Sequence, residues 1–158
     1  MKKQLQHLQE NKNMQKVGII LPNLANSQLF FEASYNTKYI DTQLDLTLFF
    51  ENLSPVAFRC ACGIMHVSEI LNFNGTLIST TLDNTLLSLK AINQAKKIFY
   101  VWDLEWIREK TDYLSNIAIY QNPNLKLFTR SDAYSRAIYN YSNVIAKTSN
   151  LDIKELLW

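Results

Sequence analysis

The feature of this sequence that most constrains its fold is an unbroken apolar run from Ile98 to Trp102, which ends at the acidic residue Asp103. The run contains only β-branched and aromatic residues, a pattern typical of a strand buried on both faces. Lys96 and Lys97 mark its solvent-exposed start. Charged residues interleaved with apolar ones then predict an amphipathic helix from Leu104 to Tyr120. Strand, sharp turn and helix make half of a βαβ unit.

The same alternation of strand and helix continues along the chain. Apolar runs predict further strands at residues 17–21, 44–50, 76–80, 125–129 and 144–147, and amphipathic stretches predict helices at 27–39, 82–94, 132–141 and 152–158. Residues 56–60 and 65–73 fit a short strand and a short helix. Such alternation is typical of a parallel sheet covered on both faces. We therefore predict an α/β protein, a three-layer α/β/α Rossmann-like sandwich with a mostly parallel, doubly wound sheet of about six strands.

Length and composition fit one globular domain. Of the 158 residues, 1–16 are rich in Gln, Lys and Asn and predict a polar tail, which leaves 17–158 for a single Rossmann-like domain. Sixteen basic and fourteen acidic residues give a net charge of +2, which provides no footprint for nucleic acid. The sequence has no run of about 18 apolar residues, and its tail has no apolar signal region. We expect a cytoplasmic protein with no membrane segment.

Several nucleotide-binding and catalytic motifs are absent from the sequence. The first predicted strand continues as VGIILPN, where a dinucleotide-binding protein would have G-x-G-x-x-G. Neither a P-loop nor a G-x-S-x-G nucleophile elbow occurs. Asp45 is of the residue type that holds a ribose, but it lies at the start of its predicted strand. NAD, ATP and hydrolase chemistry are therefore disfavoured, and no cofactor is predicted.

Ligands of open α/β sheets bind beyond the carboxyl ends of the strands, near the point where the strand order reverses. The residues that follow the predicted strands are mostly Ser, Thr, Asn and acidic residues, which are also preferred helix N-caps, so capping is the alternative role for each. This candidate rim includes Pro22, Glu51, Asn52, Asp132 and Asn150. The predicted ligand-binding residues within it are Asn23, Asn26, Ser79, Thr80, Thr81, Arg130, Ser131, Thr148 and Ser149.

Two carboxylates at the end of the central strand are the candidate catalytic residues. Either Asp103 or Glu105 is suited to act as a general base for a sugar or nucleotide hydroxyl. The simpler interpretation, which we favour, is an N-cap Asp followed by a first-turn Glu that interacts with the helix dipole. Arg130 precedes a predicted helix N-terminus, where it would suit a phosphate, or it pairs in solvent with Asp132 or Glu105.

The segment from Cys60 to His66 contains residue types that bind metals. Zinc sites need four ligands and usually the spacing C-x₂₋₄-C, whereas the only other histidine, His7, lies in the tail. We therefore interpret Cys60 and Cys62 as reduced thiols and predict no metal site. Aromatic residues make up 12% of the chain. Most are expected in the core, with stacking on a sugar or base as the alternative.

Several strand-and-junction segments resemble the amino-terminal half of GT-B glycosyltransferases, as in small glycosyltransferase-like proteins of tailed phages. The resemblance spans about residues 17–150 and rests on VGIILPN, GTLISTTLDNTLLSL, KIFYVWDLEW, LFTRSDAYSRAIYN and VIAKTSN. In that family this half mainly holds the sugar acceptor, and a second Rossmann domain binds the nucleotide sugar. The resemblance implies that Asp103 or Asn23 lies near the acceptor, and that Arg130 and Ser131 lie near the cleft between the domains.

Two functions follow as expectations. The first is a stand-alone glycosyltransferase-like domain that binds a sugar, nucleotide or nucleotide sugar. It would need a partner domain or a second copy for chemistry, because the donor half is absent. The second is a non-enzymatic interaction module in which aromatic residues form a homodimer or partner face. Trp158 would then pack against the sheet or against a second subunit. The residues leave open whether the protein is an enzyme.

Overall fold

The structure is a computed structural model that describes residues 14–25, 27–42, 44–55, 60–91, 95–108 and 112–157. Its centre is one seven-stranded sheet in the order β3-β2-β1-β4-β5-β6-β7, with every neighbouring pair parallel. The predicted α/β fold with a parallel Rossmann-like sheet is confirmed, with one strand more than expected. The strands are β1 (Gln15–Asn23), β2 (Leu44–Asn52), β3 (Gly63–His66), β4 (Thr76–Ser79), β5 (Lys96–Val101), β6 (Leu125–Thr129) and β7 (Lys147–Thr148).

Helices connect the strands and cover both faces of the sheet. The α-helices are α1 (Gln28–Tyr35), α2 (Leu82–Lys90), α3 (Tyr113–Tyr120), α4 (Asp132–Ser142) and α5 (Ile153–Leu157), and 3-10 helices occur at Asn36–Thr42, Val67–Asn72 and Glu105–Ile107. Hydrophobic residues of α1 and α5 pack on one face, and those of α2, α3, α4 and Val67–Asn72 pack on the other. No helix within these described ranges is long and apolar enough to cross a bilayer.

Alternation along the strands builds both apolar layers. In β5, Ile98 and Tyr100 belong to the cluster under α1 and α5, whereas Phe99 and Val101 belong to the cluster under α3 and α4. All four side chains are at most 3% exposed. A strand buried on both faces has to be apolar at every position, and this requirement accounts for the continuous run that predicted β5.

Three elements differ from the sequence-based predictions, one of them the last strand, which is predicted at 144–147 and covers Lys147–Thr148. The single helix predicted from Leu104 to Tyr120 is wrong: a 3-10 helix covers Glu105–Ile107, and α3 begins later, with Asp112 as its N-cap. The Asp112 carboxylate accepts a hydrogen bond from the backbone N–H of Leu114 at 3.2 Å, which favours a new helix start there. Ile107 and Leu114 are among the apolar residues that the predicted amphipathic helix would turn towards the sheet, and in the structure they are 69% and 73% exposed.

The strand β3 lies outside any predicted strand. Its four residues are all exposed at the edge of the sheet, where they pair with β2, so no buried apolar pattern marks it. Residues 56–59, which form most of the predicted short strand 56–60, lie outside the described residues, as do the tail residues 1–13 and Trp158.

Candidate functional site

The strand order reverses between β1 and β4. From β1 the chain enters α1 on one face of the sheet, and from β4 it enters α2 on the opposite face. Parallel sheets bind ligands in the crevice that such a divergence opens at the carboxyl ends of the strands. A crevice of about 400 Å³ lies at this point, and the residues that line it are Pro22, Asn23, Ser27, Leu29, Glu51, Thr80, Thr81, Asp83, Trp102, Asp103 and Glu105.

Several polar side chains of the crevice satisfy the backbone of the turns that form it. The Asn23 carboxamide oxygen accepts from the Ala25 N–H at 2.9 Å. Ser27 caps α1 by accepting from Phe30, and Thr81 caps α2 by accepting from the Asn84 N–H at 3.2 Å. The capping role that the residue types suggested is therefore real for Thr81. These bonds hold the two diverging helix starts in place on either side of the opening.

Ser79 and Thr80 are buried within the fold, at 0% and 1% exposed. The Ser79 hydroxyl is 2.7 Å from the Thr85 hydroxyl and 3.2 Å from the carbonyl oxygen of Ile98. Thr80 donates to the carbonyl oxygen of Ile20 at 2.8 Å and so ties β4 to β1 at the switch point. Both hydroxyls are engaged within the protein, so their role is to shape the crevice.

The crevice has an acidic lining. Four carboxylates, those of Glu51, Asp83, Asp103 and Glu105, line it, and its described lining contains no Lys, Arg or His. Glu51 and Asp83 are exposed, and neither forms a hydrogen bond or ion pair with another described side chain. Arg130 pairs with Asp103 from outside the lining, so the acidic excess comes from the other three carboxylates. Like charges gathered around a concave opening repel a phosphate, and they attract hydrogen-bond donors and cations.

Glu105 has a structural task at the crevice wall. Its two carboxylate oxygens lie 3.0 and 3.2 Å from the backbone N–H of Leu82, the first residue of α2. Glu105 therefore interacts with the N-terminus of α2, a helix 23 residues away in sequence, rather than with a long helix of its own as the favoured interpretation supposed. A carboxylate at this position satisfies an unpaired N–H and is favoured by the helix dipole.

Asp103 belongs to a cluster with Arg130 and two aromatic rings. The Arg130 Nη2 atom lies 3.4 Å from the Asp103 Oδ1 atom, and Arg130 also donates to the Tyr134 hydroxyl. The guanidinium carbon is 5.2 Å from the Trp102 ring centre and 4.7 Å from that of Tyr134. Asp103 is not an N-cap, because Leu104 holds that position without a side-chain bond. Arg130 pairs with Asp103 and not with Asp132 or Glu105.

Ser131, Thr148 and Ser149 do not line the crevice. Ser131 caps α4 by accepting from the Tyr134 N–H at 3.3 Å. The Thr148 hydroxyl donates to the Asp132 carboxylate at 2.7 Å, and the Ser149 hydroxyl donates to Glu155 at 2.6 Å. These bonds fix the region around β6, β7 and α5. Asn26 lies outside the described residues.

The structure thus brings together Asn23, Thr80, Thr81, Asp103 and Glu105 around one opening. Asp83 and Trp102 also line it, and neither was among the residues predicted to bind a ligand. A usable signal exists for both. The first turn of a helix that follows a parallel strand faces the carboxyl edge, and Asp83 occupies that turn in α2. Trp102 directly follows the last residue of β5.

The cysteines lie away from this crevice. Cys60 and Cys62 line a separate small cavity beside Asp45, at the amino end of β2. Burial raises the pKa of both thiols, that of Cys62 to about 12, so both are protonated and weakly nucleophilic near neutral pH. In the described part of the chain, no three His, Cys, Asp or Glu side chains are grouped so as to hold a metal.

Comparisons of the chain with models of protein families, with curated proteins and with solved structures returned no match. The functional interpretation therefore rests on the geometry and charge of the crevice.

Proposed function

We propose that the crevice binds a polyhydroxylated ligand without a phosphate group, namely a sugar or the sugar of a nucleoside, in a glycosyltransferase-like domain that holds the acceptor. One observation carries this proposal: four carboxylates and one indole line the opening at the switch point of a parallel sheet. Among the ligands suggested by the sequence, the acidic lining favours the sugar over the nucleotide or nucleotide sugar.

Carboxylates suit hydroxyl groups because each has two oxygens that accept hydrogen bonds and no proton to donate. Hydrogen bonds to a charged acceptor contribute about 1.5–3 kcal/mol each, more than neutral ones. Glu51 and Asp83 have no described protein partner, so their oxygens are available to a ligand. Trp102 is half-buried in the wall and offers an apolar ring against which a sugar face packs.

In this proposal Asp103 accepts a hydrogen bond from the bound hydroxyl, and it would take the proton only when that oxygen attacks a sugar donor supplied by a partner domain or a second copy. Its side chain is 39% exposed, so a ligand in the crevice reaches it. Arg130 holds one of its oxygens at 3.4 Å and orients the carboxylate, while the other oxygen has no described partner. Glu105, which bonds the backbone of Leu82 with both oxygens, serves as a positioning residue.

The test is a thermal-shift and calorimetric panel of free sugars, nucleosides, nucleotides and nucleotide sugars. A ligand at 100 times its dissociation constant stabilises the native state by about 2.7 kcal/mol, which raises the Tm of a chain of this size by about 5–10 °C. We expect neutral sugars or nucleosides to give this shift, and their phosphates to bind more weakly at low ionic strength. Tighter binding of the phosphates would contradict the acidic-crevice interpretation.

A matched pair of variants locates the binding. Glu51 and Asp45 are exposed carboxylates at opposite ends of β2, and only Glu51 lines the crevice. Glu51→Gln should weaken sugar binding about tenfold, the equivalent of about 1.4 kcal/mol for one charge-assisted hydrogen bond. Asp45→Asn should leave it unchanged. Equal effects of the two variants would place the ligand elsewhere.

The exposed apolar side chains near α3 support a second candidate, a protein-interaction module. Ile107, Tyr113 and Leu114 are close in the chain and are 69%, 54% and 73% exposed, and exposed apolar side chains that form a patch are typical of contact sites. This function predicts a concentration-dependent mass in sedimentation that Leu114→Glu abolishes, together with no response to any sugar. A monomer at all concentrations would exclude a homodimer through this surface.

A further inference from the structure

We propose that a second cavity, at the amino edge of the sheet, binds a small anionic amphiphile, a ligand with a carboxylate or phosphate head and a short apolar body. The cavity lies at the opposite ends of the strands from the acidic crevice and has a volume of about 330 Å³. Its lining residues are Gln15, Thr76, Lys96, Lys97, Ile98, Pro123, Asn124, Leu125, Lys126, Leu156 and Leu157.

The strand register places two lysines on one face of this cavity. Thr76 of β4 pairs with Lys96 of β5, and Ile98 of β5 pairs with Lys126 of β6. Side chains two residues apart in a strand share a face, so Lys96 and Ile98 lie on the same face, and Lys126 is the diagonal neighbour of Lys96 there. Ile98 belongs to the cluster under α5, so both lysines flank the floor that α5 covers.

Lys97 contributes differently. It lies on the opposite face of β5, where its ammonium group donates to the carbonyl oxygen of Ala91 at 2.9 Å. The charges available to a ligand are therefore those of Lys96 and Lys126, which are both exposed. Neither forms an ion pair with a described carboxylate, and the described lining of the cavity contains no Asp or Glu.

The polar lining consists of lysines and of neutral side chains that can donate hydrogen bonds, and the rest is apolar. Gln15, Thr76 and Asn124 supply neutral polar groups. Ile98 and Leu156 are buried and form the floor of the cavity. The apolar lining that faces water belongs to the half-buried Leu125 and Leu157 and to the exposed Pro123. A hydrophilic anion such as free phosphate would leave this apolar wall in contact with water, whereas an amphiphile covers it. The volume lies at the lower end for ligand cavities and so selects a short apolar body.

The site and the sugar-binding proposal are independent. A lysine ammonium is a point charge that accepts either a carboxylate or a phosphate, so the head group is defined by its charge. Carboxylate and phosphate heads differ in charge and geometry, and two ligands with the same alkyl chain and different heads distinguish them.

The experiment uses the full chain and four probes with the same alkyl chain: octanoate, octyl phosphate, octanol and octylamine. Binding is measured by calorimetry and by NMR of the protein at low ionic strength, below the concentration at which the probes aggregate. We expect at least one of the two anions to bind about tenfold more tightly than octanol, with octylamine weaker still. The anion that binds more tightly identifies the head group.

Two double variants provide the control. Lys96→Gln with Lys126→Gln removes the charges of Lys96 and Lys126 and should weaken the binding of the anions about tenfold, to the affinity of octanol. Lys90→Gln with Arg136→Gln removes two exposed charges from α2 and α4 and should change nothing. Octanol that binds as tightly as the anions, an unaffected cavity variant, or no binding by any probe would each overturn the proposal.

Discussion

Replacing Glu105 tests whether a residue predicted to be catalytic is instead a structural cap. Its carboxylate oxygens lie 3.0 and 3.2 Å from the Leu82 N–H at the start of α2. Loss of an N-terminal cap costs about 0.5–2 kcal/mol, and loss of the charge next to the helix dipole costs about 0.3–1 kcal/mol. We therefore expect Glu105→Ala to lower the free energy of unfolding by about 2 kcal/mol. Glu105→Gln keeps an acceptor oxygen and should lower it by about 1 kcal/mol.

Thermal and urea unfolding measure these differences. A loss of 1 kcal/mol lowers the Tm of a chain of this size by about 2–4 °C, so the Ala variant should melt about 4–8 °C below the wild type and the Gln variant about halfway between. Glu51→Ala is the control, because Glu51 is an exposed carboxylate of the same crevice without a described partner. It should change the free energy of unfolding by no more than about 0.5 kcal/mol.

The graded order of wild type, Gln and Ala is the decisive result. A Glu105→Ala protein that melts with the wild type but no longer binds a sugar would refute the capping role and return Glu105 to the functional residues. A protein that is destabilised yet binds normally at a temperature where it is folded supports the cap. Measuring binding and stability on the same preparations separates these outcomes.

Two further predictions concern the core. Tyr100→Phe removes the hydrogen bond that the Tyr100 hydroxyl donates to the Ser149 carbonyl oxygen at 2.9 Å, and it should lower the free energy of unfolding at neutral pH by about 1 kcal/mol. The Tyr120 hydroxyl has no partner among the described atoms. Tyr120→Phe should therefore lower the free energy of unfolding by less, as measured by urea unfolding. Burial raises the pKa of Tyr100 to about 12, so Tyr100 ionises at a lower pH in the unfolded chain than in the folded one. The free energy of unfolding therefore falls between about pH 10 and 12. Tyr100→Phe should reduce this fall, which thermal melts across the same pH range would measure. Gly18→Ala would place a methyl group 2.6 Å from the Phe49 ring and should destabilise by about 1–3 kcal/mol in the same assay; an unchanged Tm would contradict the close packing of β1 on β2.

The strands that the sequence predicted well are those buried on both faces. The predicted bounds of β6, Leu125 to Thr129, match the structure. The predicted central strand runs from Lys97 to Trp102, and β5 differs by one residue at each end. The buried parts of these strands, residues 98–101 and 127–129, are apolar except for Thr129. Such a run is recognised from neighbouring residues alone. β3 and β7 lack this signal. Each lies at an edge and has exposed residues, and Ile145 within the predicted last strand is 76% exposed.

The location of the candidate site could be predicted, but the roles of its residues could not. Strand ends alone indicate the carboxyl edge, since parallel strands bring their ends together. The partner of Glu105 lies 23 residues away, and that of Asp103 lies 27 residues away. Hydrophobic periodicity and capping rules concern neighbouring residues, so they cannot predict contacts between residues this far apart in the sequence. The helix break near Asp112 also depends on which local cap forms, and the sequence pattern allowed one continuous helix.

The opposite charges at the two edges of the sheet make the two proposed sites separable. Glu51, Asp83, Asp103 and Glu105 line the carboxyl edge, whereas the amino-edge cavity has lysines. Strands of four to six residues between these edges span about 13–20 Å, more than the screening length of about 10 Å at 0.1 M salt. At 0.1 M salt, Glu51→Gln should therefore leave octanoate binding unchanged, and the double lysine variant should leave sugar binding unchanged. Coupling between the two would mean that a variant alters the sheet itself, and hydrogen exchange of the β4 and β5 amides would detect that change directly.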